Sequence, residues 1–394
     1  MNIHPFAAVR PSVADAALVA SVPYDVVDTA EAKALAAGNP KSFLHVSRPE
    51  IDLPEGTNPS SPEAYAQARK ALDALVANGV LVQESEPMYY AYRQTMGSHM
   101  QTGIVACFDT EDYLSGVLKQ HEKTRKDKED DRTRHIEVLG AHTGPAFLTY
   151  RDDKAIDEIV RVACHEASLY DFVADDGIRH TVWRIAASSS CLADEIAELF
   201  ARIPVAYIAD GHHRSAAASR YAKERNFEGE SRWFLAVAFP ASQLKILGYN
   251  RLVADLNGLS ADEFLAKVAE VFPGGNRHCR MYFNGEWREL CWDVPADADT
   301  VARLDVSYLQ EKFLSPVLGI GDPRTDSRIS FMGAIRGDKA LAAKVESGEA
   351  AVAFAMESVT VEEMMAIADA GAIMPPKSTW FEPKLRSGLF VHKI

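Results

Sequence analysis

Apolar positions in this chain follow two patterns. Some form short unbroken runs with β-branched and aromatic members, and others recur every three or four residues along amphipathic stretches. The second pattern predicts helices. Residues 29–37 carry it until Gly38-Asn39-Pro40, and Pro62 opens a longer stretch through Val76 that Asn78-Gly79 stops. Residues 89–94 and 102–109 predict paired strands about the polar turn at 97–100, followed by a strand at 145–150 and a helix at 154–166. A strand at 181–185, a helix at 194–200 and strands at 233–239 and 245–249 come next. Residues 281–292 predict a hairpin about Asn284-Gly285, and a strand at 351–356 lies between helices at 306–314 and 361–370. This mixture of strands and helices predicts an α/β (α+β) chain, with no internal repeat and no low-complexity tract.

The most concentrated polar chemistry interrupts one of these alternations, in Pro204-Val-Ala-Tyr-Ile-Ala-Asp-Gly-His-His-Arg214. Residues 205–209 predict a buried strand, residues 215–225 have helical composition, and Gly211 marks the bend. The first amides of a helix lack internal partners and carry partial positive charge, so an anion is stabilised there. His212, His213 and Arg214 add to that cradle, while Asp210 would repel phosphate unless a divalent cation bridged them. Asp and Gly alone are ordinary turn formers. Two histidines and an arginine beside them are not required by a turn, and they point to a phosphate site.

A dense run of mixed charge covers residues 116–134, which is ordinarily a solvated helix face. Apolar Val117 and Leu118 precede His121 and Glu122, however, and place them at the mouth of a strand. Glu122, surrounded by His121, Lys123 and Arg125, is the candidate general base for a hydroxyl attacking a phosphoryl group, and this role depends on its folding back towards Asp210. Lys377, Ser378 and Thr379 offer a cation and hydroxyls on a proline-stiffened loop suited to a nucleotide. Tyr24 and Asp25 after Pro23 are candidates for binding a substrate. A zinc hydrolase built on the histidine pair is the weakest alternative, because no His-x-x-x-His pair sets two ligands on one helical face.

Composition narrows the classes further. At 394 residues with 47% hydrophobic and 25% charged content, the chain has room for two or three domains, and its net charge of -14 argues against a nucleic-acid backbone as the main partner. Five cysteines without a Cys-x-x-Cys pair signal neither a zinc knuckle nor a disulfide scaffold. Nothing in the sequence suggests a membrane span or a leader, and the cytoplasm is the expected compartment. Neither a Gly-x-Gly-x-x-Gly nor a Gly-x-x-x-x-Gly-Lys loop is present, so a nucleotide would need another cradle.

Pro5-Phe6, Val22-Pro-Tyr-Asp25, His121-Glu-Lys-Thr124 with Asp131-Arg132, Ile208-Ala-Asp-Gly-His-His-Arg214, Tyr249-Asn-Arg251 and Met374-Pro-Pro-Lys-Ser-Thr379 together resemble the successive signatures of one bacterial family. That family has long been catalogued only as a domain of unknown function. The pair of His-Glu and Asp-Gly-His-His-Arg motifs is also similar to the free-serine kinases of the ParB/sulfiredoxin-like fold. The resemblance implies a mixed-sheet core over residues 1–226 and a second α+β domain or lid over residues 227–394. It implies a nucleotide-dependent kinase that turns L-serine into O-phosphoserine, with ATP or ADP as donor. Glu122 would be the base with His121 beside it, and Asp210, Gly211, His212, His213 and Arg214 would hold phosphate, with Mg2+ on Asp210. Tyr24, Asp25, Arg125 and Arg132 are the substrate-binding candidates. In this chain the two motifs lie farther apart than in the small kinases. The alternative is a ParB-like nucleotide-binding regulator without small-molecule turnover, and homo-oligomerisation is left open.

Overall fold

The computed structural model describes residues 1–186 and 191–394. Its contacts divide it into two compact units: Met1–Gln120, Thr124–Leu244 and Pro383–Ile394 form the first, and His121–Lys123 with Lys245–Glu382 form the second.

A nine-stranded mixed sheet organises the first unit. Its strands are β1 (Ile3–His4), β2 (Met88–Met96), β3 (His99–Asp109), β4 (Leu118–Lys119), β5 (Ala146–Tyr150), β6 (Tyr170–Val173), β7 (Arg179–Ala186), β8 (Ala206–Asp210) and β9 (Trp233–Pro240). They run in the order β4-β8-β5-β9-β3-β2-β7-β6, with β1 added alongside β3. The β4–β8 and β5–β9 pairs are parallel and the others antiparallel. Of the central strands, β5 is buried throughout and β9 from Phe234 onwards, and both read as continuous apolar runs.

Alternate residues of these strands face one core: Ala146, Leu148 and Tyr150 of β5, Ala206 and Ile208 of β8, and Ala236 and Ala238 of β9. Against them pack Ile156, Ile159 and Val160 of helix α1 (Lys154–Ala163), Ile196, Leu199 and Phe200 of α2 (Cys191–Arg202), and Ala217, Ala218 and Tyr221 of α3 (His212–Glu224). A satellite core gathers around the helix Pro62–Ala77, which starts where the sequence predicts, with Ser61 as its cap and Pro62 in its first turn. The charged run forms the helix Lys126–Leu139. This helix is not simply a solvated face, because Asp131, Thr133, His135, Ile136 and Leu139 are buried.

The second unit is built on a five-stranded antiparallel sheet of Tyr249–Val253, Arg277–Phe283, Glu286–Trp292, Ile329–Gly333 and Val352–Ala355. The predicted hairpin about Asn284-Gly285 is present, with φ of 51° and 80° at these two residues, the left-handed pair that a two-residue turn between twisted strands requires. Phe264, Phe283 and Phe313 pack with Phe272, Trp292 and Tyr308 into an aromatic core. Among the described residues, no helix is long and apolar enough to cross a membrane.

Candidate functional site

The strand β8 ends in a register irregularity between Ile208 and Asp210, which turns the Asp210 side chain out of the ladder. Gly211 follows with φ of 89° and caps α3, and no side chain occupies the cap position. A Cβ at Gly211 would lie 3.2 Å from the Ala146 Cα and 3.0 Å from the Arg214 Nε, so both conformation and space require glycine.

Asp210 Oδ1 accepts from the Gly211 amide at 2.8 Å, and its Oδ2 accepts from Lys384 Nζ at 3.3 Å and lies 3.7 Å from Arg214. Burial by itself would raise this carboxyl, but the charges of Lys384 and Arg214 outweigh burial and hold it below the usual carboxylate range. Arg214 also donates to the Pro145 carbonyl. His212 is buried at the start of α3. His213 is half-exposed, and its Nε2 accepts the Arg125 amide at 3.0 Å, so the ring proton sits on Nδ1.

Lys384 reaches the hinge on the segment 383–394, whose backbone is pinned at several points. Gln94 Nε2 donates to the Lys384 carbonyl at 2.8 Å and in turn accepts from Gln101 at 3.0 Å. Farther along, Ser387 pairs with Ser21 and Val391 with Val9. Lys384 is not among the candidates that the sequence offers, and its one local signal is that it follows Pro383 at the end of the proline-rich run that begins at Met374.

Of the substrate-binding candidates, Tyr24 and Arg132 lie beside Arg214, where the three line one cavity. The Arg132 guanidinium stacks 4.0 Å from the Tyr24 ring centroid, and Asp131 accepts from Arg132 Nε at 2.8 Å. Ser60 and Tyr65 also donate to Asp131, at 2.7 and 2.8 Å. Burial pushes the Tyr24 hydroxyl up to about 12 despite Arg132 and Arg214. Asp25 is exposed, and Arg125 is exposed and engaged with Asp127 at 2.8 Å.

The remaining candidates gather in the second unit. His121 is buried; its carbonyl accepts the Met374 amide at 2.8 Å and its Nε2 lies 3.1 Å from Thr379 Oγ1, while Glu122 beside it is half-buried. Ser378 donates to the Pro375 carbonyl at 2.6 Å, a turn-stabilising bond. Lys377 adopts φ of 56° and places its ammonium 5.5 Å from the Tyr249 ring centroid. Buried Arg251 holds the same loop at the Pro376 carbonyl, at 3.5 Å, and burial lowers its guanidinium to about 10. The separated motifs Tyr249-Asn-Arg251, His121-Glu122 and 374–379 thus meet around one loop.

An ionised carboxylate held by a lysine and an arginine at a glycine-made helix start thus lies within a mixed α/β protein. The chain belongs to the DUF1015 family of proteins of unknown function, whose model matches residues 3–307. No curated protein matches it. Among solved structures it is similar to a conserved hypothetical protein from Pyrococcus furiosus, with 14% identity over 73% of this chain and 95% of that one and a TM-score of 0.39. A free serine kinase in complex with AMP aligns with 11% identity over 73% of this chain and 91% of that one, with a TM-score of 0.37. SbnI from Staphylococcus aureus, with a C-terminal truncation, gives 10% identity, 73% and 87% coverage and a TM-score of 0.39.

Proposed function

We propose that this protein is a nucleotide-dependent small-molecule kinase whose acceptor is free L-serine and whose donor is ATP or ADP. The observation that carries this reading is the hinge at Asp210, Gly211 and Arg214, where a helix N-terminus and the cationic side chains of Lys384 and Arg214 meet one ionised carboxylate. The signature resemblance supplies the acceptor and the base. The serine hydroxyl oxygen bonds to the terminal phosphorus of the donor as the bond from phosphorus to the leaving nucleotide oxygen breaks. Glu122 takes the hydroxyl proton, and ADP leaves from ATP, or AMP from ADP. The reading places Mg2+ on the Asp210 carboxylate, the acidic side chain of the hinge, where the ion would neutralise phosphate charge. Lys384 and Arg214 would contact phosphate oxygens, and the loop bearing Lys377, Ser378 and Thr379 is the second candidate contact for the nucleotide.

Incubation of the purified protein with serine, magnesium and ATP or ADP is expected to yield O-phosphoserine, read by phosphorus NMR. Glu122→Gln is expected to lower kcat by about 100-fold or more while nucleotide affinity, measured by calorimetry, holds. Full turnover in that variant would remove Glu122 from the mechanism. Nucleotide binding without turnover for any acceptor would instead favour the regulator.

A further inference from the structure

Beneath Arg214 lies a cavity of about 40 Å³ lined by Tyr24, Ser47, Arg132, His142, Thr143 and Arg214, among others. Three polar atoms of its lining residues are buried without a hydrogen-bond partner: Ser47 Oγ, His142 Nε2 and Arg214 Nε. Ser47 and His142 are each only 6% exposed, so bulk water does not satisfy them. Unsatisfied buried donors carry a free-energy cost, and several around one void mark a place where a ligand group completes the structure.

We propose that this cavity is a carboxylate pocket that holds the acidic end of the acceptor. Three features select a carboxylate. First, donors share the lining: Ser47 offers a hydroxyl, Arg214 its Nε–H, and Arg132 a planar fork whose Nε and Nη2 edge Asp131 occupies, leaving Nη1 for a second acceptor. Second, the fork cannot swing away, because Tyr24 stacks under it and the network of Ser60, Tyr65 and Asp131 holds its other edge. Third, the cavity, of about 40 Å³, has room for a group the size of a carboxylate. His142 and His135 add no competing charge, since burial lowers both to about 3 and leaves them neutral. Arg214 belongs to both this pocket and the hinge, and would place an acceptor carboxylate on one side of its guanidinium and donor phosphate on the other. The assignment to the acceptor rests on the kinase reading, whereas the pocket's affinity for a carboxylate does not.

Acetate and inorganic phosphate titrated calorimetrically into the full chain without nucleotide separate the two. Acetate is expected to bind, and Ser47→Val, which removes the hydroxyl and fills the void with methyl groups, is expected to weaken it about tenfold or more while phosphate binding at the hinge is unchanged. Ser47→Ala keeps the space, removes only the donor, and is expected to give a smaller loss should the valine variant misfold. In turnover, serinol, which is serine with its carboxylate replaced by a hydroxymethyl group, is expected to be a far poorer acceptor than serine. Acetate affinity indifferent to both substitutions, or serinol matching serine, would overturn the pocket. Acetate binding without any phosphoryl transfer would leave the pocket standing and remove the kinase reading.

Discussion

At the scale of the residue, the hinge depends on one glycine and one carboxylate. Gly211→Ala forces a Cβ into a left-handed conformation and against Ala146. It is expected to cost about 2 kcal/mol in denaturant unfolding and to weaken phosphate binding, because the helix start would have to shift. Asp210→Asn leaves Lys384 and Arg214 without their shared counter-charge and is expected to cost roughly 3 kcal/mol at neutral pH. The folded carboxyl lies below its unfolded value of about 3.9, so its contribution is complete above that value and is lost as pH falls through the depressed folded one. The stability gap between wild type and Asp210→Asn is therefore expected to stay constant from about pH 8 to about pH 5 and to close only in stronger acid. A gap that closed near neutrality would point to a histidine instead. Residues like Gly211 and Asp210 were visible in the sequence because unusual side chains sat at a predicted bend. Ser47 was not, since an isolated serine in a short helical segment carries no pattern.

At the scale of the element, the predicted helices and strands correspond closely to the observed ones wherever a cap or turn residue marks the boundary. Pro62 begins its helix, Asn284-Gly285 turns its hairpin, and β8 ends at Asp210. The segment 383–394 behaves differently. It contains only a two-residue strand, and its position comes from pairing with Ser21, Val9 and His142. Such partners are distant in sequence and leave no periodicity behind. Gly388 seats the segment against the buried Phe43 ring with φ of 87°, and a Cβ there would come within 2.6 Å of the ring. Gly388→Ala is expected to lower stability by about 3 kcal/mol and, by displacing Lys384, to weaken phosphate binding at the hinge. Calorimetry on the refolded variant checks both effects, and unchanged phosphate affinity would detach the segment from the site.

At the scale of the whole molecule, a net charge of -14 surrounds a few local basic sites. Such a chain is expected to leave duplex DNA unshifted in an electrophoretic assay even at low salt, since its net negative charge opposes approach to the phosphate backbone. A salt-sensitive shift would revive a nucleic-acid role. The alternation of runs was enough for a mixed α/β protein and the contiguous motifs for its family, and the same motifs marked the hinge as a candidate anion site, because these follow from local propensity and from chemistry concentrated in short stretches. What tertiary structure alone decided is which distant residues share a site. Lys384 meets Asp210 across 174 positions of sequence, and Ser47, Arg132 and Arg214 line one cavity from three separate segments. Those meetings arise from strand order and long-range packing, which depend on the whole core and leave no local trace in the sequence.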